Sequence, residues 1–179
     1  MSAIVQRQIA DQGMASSRSQ NTAAVDILRD LPSGFVLGDM FLARTFASFG
    51  RYQEAAAALA DIPPDALLPG ILEPAIDLLS GAPSAVSSPQ SLPSLGWLEF
   101  VYLHVGAVDR ILEYEEGNLE AGYTVPMTVV FLWHPSYAPL RKSERFNAFV
   151  RKIGLVDYWR VKGWPQLCHP TADTDFACE

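Results

Sequence analysis

Residues 36–60 read VLGDMFLARTFASFGRYQEAAAALA, and this stretch decides the fold. Leu42, Phe46 and Phe49 share one side of a first helix, because positions three and four apart lie on the same helical face. Gly50 closes that helix, and the alanine-rich run after it has the highest helix propensity in the chain. The stretch therefore predicts two helices joined by a turn at a glycine.

The same helical spacing of apolar residues recurs along most of the chain. Asn21 and Ser143 are predicted to cap two of the helices at their amino ends. No run alternates polar and apolar residues for long enough to predict a sheet, so the fold class is all-α. The predicted helices cover residues 4–12, 22–31, 36–49, 51–60, 65–79, 95–105, 108–116, 123–133, 143–153 and 155–161.

One uncharged segment interrupts this pattern. Residues 81–94 contain three prolines and many small residues, which is the composition of a loop or linker. The predicted organisation is a single structural domain with this loop inside it. Its parts are N-terminal helices (1–34), a helix pair with a following helix (35–80), the loop (81–94), a second pair with C-terminal capping helices (95–165) and a tail (166–179).

Composition excludes several classes of protein. With 49% hydrophobic and 18% charged residues in 179, the chain has enough apolar side chains for a folded core. A net charge of −7 argues against direct nucleic-acid binding, which needs a basic face. The longest apolar stretch is about half of the roughly 20 residues that a membrane span requires, and no signal peptide is recognisable. We expect a cytoplasmic protein, or a periplasmic one if the parent protein is tethered to a membrane.

The residues of the two-helix stretch resemble a tetratricopeptide repeat. The resemblance is carried by Leu42-Ala43-x2-Phe46 in the first helix, by Gly50 and Tyr52 at the turn, and by Glu54-Ala55-x3-Leu59 in the second helix. It departs from the family at Asp39, where an aromatic residue is usual, and at the early Pro63-Pro64. A looser match follows around Gly106, 56 residues after the first glycine. The resemblance implies an irregular solenoid of helix hairpins, a right-handed α-α superhelix.

The C-terminal third resembles the ending of many bacterial tetratricopeptide proteins. The stretches FLWHPSYAPLR (131–141) and GLVDYW (154–159) carry that resemblance. In such proteins the array commonly follows a winged-helix DNA-binding domain or an adenylate cyclase domain. The resemblance implies a non-enzymatic interaction or regulatory module of a bacterial signalling or transcriptional protein. No motif for a catalytic nucleophile, a phosphate-binding loop or a metal site is found, so no catalytic residue, cofactor or metal is predicted.

Helical phase within this frame places five residues in a partner-binding groove: Met40, Arg44 and Ser48 on the first pair, and Phe100 and His104 on the second. The partner would be a protein or peptide segment, and homo-oligomers are also compatible with a short array. The alternative is that these residues form an ordinary solvated or packed helical face.

A second hypothesis is a small-molecule sensor. In this interpretation Trp97, Phe100 and Trp133 enclose an apolar ligand between helices. A pocket of a few hundred Å³ near these aromatics would favour it.

The tail carries the two cysteines. Cys168 and Cys178 are predicted to be free thiols, with a disulfide between them as the alternative if the tail bends back or the domain is periplasmic. Residues 171–179 are predicted to be mobile unless Phe176 or Cys178 anchors them. His134 is predicted to cap the helix before it by bonding that helix's carbonyls.

The sequence also contains two clusters of charged residues. Glu113, Glu115 and Glu116 are predicted to be a solvated helix end, with a weak indication of a basic contact. The basic side chains between Arg141 and Lys162, with nearby aromatics, are predicted to belong to a capping unit, or alternatively to an interface.

Overall fold

The structure is a computed structural model that describes residues 23–32, 34–122, 130–171 and 175–179. The chain divides into two compact units, Met1–Ser80 and Gly81–Glu179, so the division falls where the proline-rich segment begins. The α-helices are α1 (residues 23–29), α2 (Val36–Ser48), α3 (Tyr52–Ala60), α4 (Leu72–Gly81), α5 (Asp109–Glu120), α6 (Ala138–Arg141), α7 (Glu144–Lys152) and α8 (Leu155–Lys162).

The first unit is built on the α2–α3 hairpin that the sequence predicts. Ala43, Ala55 and Leu59 are fully buried, because small residues let the two helices approach closely. Gly50 turns the chain with a φ of +71°, a conformation that side chains with a Cβ disfavour. Its N–H donates to the carbonyl of Ala47 at 2.9 Å.

The helix predicted over residues 65–79 is shorter than expected. The prediction of helix from residue 65 onward is wrong, since α4 begins only at Leu72. Pro69 and Gly70 precede that start, and Pro74 falls within its first turn, where a missing N–H costs no hydrogen bond. Ala75 and Leu79 are the buried positions of this helix.

In the second unit Gly96–His104 form a 3-10 helix, where the sequence predicts an α-helix over residues 95–105. Residues 98–102 are all buried, so this run has no solvent-facing side to define a helical period. Helix α5 follows and extends four residues beyond the predicted end at residue 116.

Within the second unit, hydrogen bonds hold the proline-rich segment in place. The Val86 N–H donates to the carbonyl of Val105 at 3.1 Å. The Tyr102 hydroxyl donates to the carbonyl of Pro93, and Arg110 Nη2 donates to that of Leu92 at 2.7 Å. Three hydrogen bonds therefore hold a stretch that has the composition of a linker.

The C-terminal helices follow the prediction closely. Ser143 caps α7, its hydroxyl accepting from the Phe146 N–H at 3.1 Å. Gly154 has a φ of +77° and separates α7 from α8. His134 differs from the prediction: it caps the start of the 3-10 helix Pro135–Tyr137, with Nδ1 accepting from the Ser136 N–H at 3.3 Å.

The tail forms a two-stranded antiparallel hairpin of β1 (Cys168–Pro170) and β2 (Phe176–Cys178). Cys168 faces Cys178 across it, and the two form a disulfide with their Cα atoms 4.1 Å apart. The prediction of free thiols is therefore wrong, because the hairpin brings two residues ten positions apart into direct register. Phe176 and Cys178 are both buried and anchor the strand.

Helices dominate the described residues, which confirms the all-α class apart from this short hairpin. The solenoid arrangement remains a prediction. The predicted helix over residues 4–12, the Asn21 cap and most of the predicted helix over residues 123–133 lie outside the described residues. In the part of the chain that is described, no helix has the length and apolar character to cross a membrane.

Candidate functional site

A cleft of about 350 Å³ opens in the first unit beside α1, α2 and α3. We call it the Asp39 cleft. Its wall combines leucines and alanines with one arginine and three acidic side chains. The lining residues are Leu28, Arg29, Leu31, Asp39, Leu42, Phe46, Glu54, Ala57, Ala58 and Asp61.

Phe46 forms a rigid part of the wall. Its side chain is 3% exposed, and the guanidinium carbons of Arg29 and Arg51 lie 5.4 and 4.5 Å from its ring centroid. Both arginines also reach Glu54: Arg51 hydrogen-bonds it in a bidentate pair, and Arg29 Nη2 lies 3.8 Å from its Oε1. The hydrogen bond from Arg51 lowers the pKa of Glu54 below its ordinary value. The two guanidinium groups near the cleft therefore already interact with Glu54 and Phe46.

Asp39 has the opposite situation. Its Oδ2 is buried and accepts no hydrogen bond from the described residues. Burial raises the pKa of Asp39 above its ordinary value, and the negative charge of Asp61 raises it further. Neither carboxylate forms an ion pair within the described part of the chain. Asp39 lies in the first turn of α2, where the helix dipole favours its negative charge, but the described residues provide no cation for either carboxylate.

The five predicted groove residues divide between the two units. Met40 is 8% exposed and Phe100 is 1% exposed, so both pack in the interior and present no surface to a partner in this structure. Arg44, Ser48 and His104 are half-buried, and the Ser48 hydroxyl donates to the carbonyl of Thr45 at 2.7 Å. Met40, Arg44 and Ser48 lie in the first unit, and Phe100 and His104 lie in the second.

Sequence reasoning missed the residues that line the cleft on α2. Asp39, Leu42 and Phe46 are three and four positions apart, so they lie on one face of α2. That face is next to the one that carries the predicted groove residues. The available signal was Asp39 itself, an acidic residue at a position where tetratricopeptide repeats usually have an aromatic.

The acidic cluster of the second unit is internally paired. Arg145 Nη1 lies 3.1 Å from Glu113 Oε1, and its Nη2 lies 2.7 Å from Glu116 Oε2. Arg110 forms a further ion pair with Glu113. Glu115 is 4% exposed, so the prediction of a solvated helix end is wrong for this residue. The basic contact for this cluster comes from the same unit.

A second, smaller cavity of about 150 Å³ lies beside this network, lined by Ser94, Leu95, Glu99, Tyr102, Arg110, Glu113 and Tyr114. Burial is the main cause that raises the pKa of Tyr102 and Tyr114, which keeps both hydroxyls protonated. Glu99 is 3% exposed. The cavity has a mixed polar and apolar lining, unlike the apolar pocket of the sensor hypothesis.

The three aromatic residues of the sensor hypothesis do not line this cavity. Trp97 is 55% exposed, and Phe100 is buried. Trp133 packs edge-on against Phe146 and Trp159, with ring centroids 6.1 and 5.6 Å apart.

Arg141 begins the basic stretch that is predicted to belong to a capping unit or an interface, and it is 2% exposed. Its Nε donates to the main-chain oxygen of Glu179 at 2.7 Å, and its Nη1 donates to the carbonyls of Leu132 at 2.7 Å and His134 at 2.9 Å. Burial lowers the pKa of this guanidinium from its ordinary value, although arginine stays charged in proteins. The residue therefore ties β2 to the helical part of the unit.

Metal binding has no support in the described residues. They contain no group of three or more His, Cys, Asp or Glu side chains placed to hold an ion. Cys168, which adjoins His169, is in the disulfide and has no thiolate to offer.

No protein-family model matches the sequence, and the curated proteins and the solved structures give no match either. The tetratricopeptide resemblance therefore stays a prediction that depends on the residues quoted for it.

Proposed function

We propose that this chain is a non-enzymatic interaction module, the regulatory part of a bacterial signalling or transcriptional protein, and that it binds a partner peptide in the Asp39 cleft. One observation carries the proposal: a cleft of about 350 Å³ between helices whose lining is partly apolar and partly charged. Clefts between helices commonly receive the apolar side chains of a partner segment. The tetratricopeptide-like hairpin α2–α3 supports the same function.

The wall of the cleft favours binding because it is held in place before a partner arrives. Phe46 lies under two guanidinium groups, and those groups share Glu54. A wall fixed in this way loses little conformational entropy when a ligand binds, so more of the contact energy appears as affinity.

The test is a peptide-display selection against the full chain, followed by affinity measurements with two matched variants. Ala57→Tyr fills the cleft, whereas Ala60→Tyr adds the same side chain to an exposed position of α3 outside the cleft lining. Selected peptides should lose about tenfold or more in affinity for Ala57→Tyr, equivalent to about 1.4 kcal/mol. Binding to Ala60→Tyr should match the original protein. A selection that gives no peptide with this pattern contradicts the proposed function.

A small-molecule sensor is the second candidate, because the cleft volume falls within the range of ligand pockets. Native mass spectrometry of the gently purified protein distinguishes the two. A retained mass of a few hundred daltons that Ala57→Tyr releases supports the sensor. Masses equal to the chain or its whole multiples favour the interaction module.

The disulfide bears on the compartment. A buried disulfide is typical of proteins in oxidising environments and uncommon in the reducing cytosol. It favours the periplasmic alternative over the cytoplasmic expectation. Labelling of free thiols in intact cells that produce the parent protein tests this point.

A further inference from the structure

The Asp39 carboxylate is in an unfavourable position without a partner. One oxygen is buried and accepts no hydrogen bond from the described residues. A buried acceptor with no donor loses the hydrogen bonds that water would give it, so such groups are rare in folded proteins. A positive charge near the carboxylate would stabilise its charged form and offset part of this penalty.

Asp61 adds a second carboxylate to the same cleft. It is the C-terminal cap residue of α3, where the exposed carbonyl ends of the helix already carry partial negative charge. A carboxylate there repels both the helix end and Asp39. A positive charge between the two would be attracted by all three.

The cleft does not supply this cation itself. Arg29 is the basic residue of the lining, and its guanidinium lies over Phe46 and near Glu54. Arg51 is hydrogen-bonded to Glu54. No cation of the described residues compensates Asp39 and Asp61, so the cleft leaves this role to a bound molecule.

The rest of the wall indicates what carries that charge. Leu28, Leu31 and Leu42 line the cleft together with the acidic groups. Lysine and arginine combine an apolar stem with a charged end, so the stem can pack on leucines while the end reaches a carboxylate. A bare ion would leave this apolar surface unused.

We propose that the partner peptide places a lysine or arginine side chain in the Asp39 cleft, with its charged end between Asp39 and Asp61. This inference rests on the proposed function and specifies its partner as a peptide with a basic anchor residue. The stem contacts the leucines, and the charged group is attracted by the carboxylates of Asp39 and Asp61 that line the cleft.

The peptides selected above provide the test. We expect a lysine or arginine at one fixed position of the cleft-dependent sequences. Its replacement by glutamine should lower affinity for the original protein by about tenfold or more, since hydrogen bonds to charged groups are stronger than neutral ones. Asp39→Asn should lower affinity for the unaltered peptide by a similar factor. Asp77→Asn, an exposed carboxylate on α4 outside the cleft lining, should leave it unchanged.

The two proposals fail in different ways. Cleft-dependent peptides without a basic anchor, or with unchanged affinity for Asp39→Asn, overturn the basic-anchor inference while the interaction module stands. Loss of all cleft dependence overturns both. A photo-cross-linker at position 61 that reaches only this chain, or a second copy of it, shows a different occupant and overturns the inference as well.

Discussion

Arg141 and Glu179 are 38 positions apart in sequence, yet the buried guanidinium donates a 2.7 Å hydrogen bond to the main-chain oxygen of the last residue. The same side chain satisfies two further carbonyls. One buried cation thus connects the C-terminal strand to the helices of its unit.

Arg141→Met should destabilise the protein by about 2 kcal/mol or more, because one buried and two part-buried main-chain oxygens lose a charged donor. The measurement is urea unfolding followed by circular dichroism. Arg160→Met is the matched control, since Arg160 is exposed and, among the described residues, its ion pair is with Asp157 one turn away. Its effect should stay within about 0.5 kcal/mol. Equal effects of the two substitutions would show that Arg141 has no special structural role.

Reducing the disulfide should destabilise the protein by about 2–3 kcal/mol, the loop-closure contribution for roughly ten residues. The double variant Cys168→Ala/Cys178→Ala should show the same loss without reductant and no response to its addition. Urea unfolding with and without a phosphine reductant provides both values. Two reactive thiols in the unfolded, unreduced protein would contradict the disulfide.

Gly50→Ala should destabilise the protein by about 1 kcal/mol. The cause is conformational, because the φ of +71° disfavours a Cβ although no atom lies within 4 Å of where it would be. Gly81→Ala is the control, since Gly81 has equal space but no positive φ. That substitution at the end of α4 should be neutral or slightly stabilising. Thermal unfolding of both variants makes the comparison.

Asp39→Asn should change how stability depends on pH. Burial and Asp61 raise the pKa of Asp39, so the folded state binds its proton more tightly than the unfolded state does. The original protein therefore gains stability relative to the variant as pH falls through the raised value, and the gain is complete below the ordinary value of 3.8. Any advantage of the variant at pH 7 should shrink by pH 3.5. Parallel stability curves across this range would contradict the raised pKa.

The sequence predicts what depends on local patterns. The hairpin around Gly50 and the Ser143 cap need only helical spacing and a favoured turn or cap residue, and both are found. The sequence predicts less reliably which residues of a single helix are exposed. Met40 and Asp39 are neighbours in sequence, but helical phase alone assigned Met40 to a surface that tertiary packing buries.

The sequence could not predict contacts between residues that are far apart in the chain. Each strand of the hairpin has three residues, too few for an alternating pattern to be recognised. The disulfide depends on that register. Arg141 looks like its surface neighbours in a basic stretch, and only its distant carbonyl partners distinguish it.

The hydrogen bonds of the proline-rich segment affect where the chain can be cleaved or truncated. Although its composition suggests a site that proteases would cleave readily, cleavage requires the backbone to detach locally, and Val105, Tyr102 and Arg110 hold it at three points. Limited digestion should therefore spare residues 86–93. A truncated protein meant to isolate the second unit has to retain them, because their removal would leave Arg110 and Tyr102 without the carbonyls they bind.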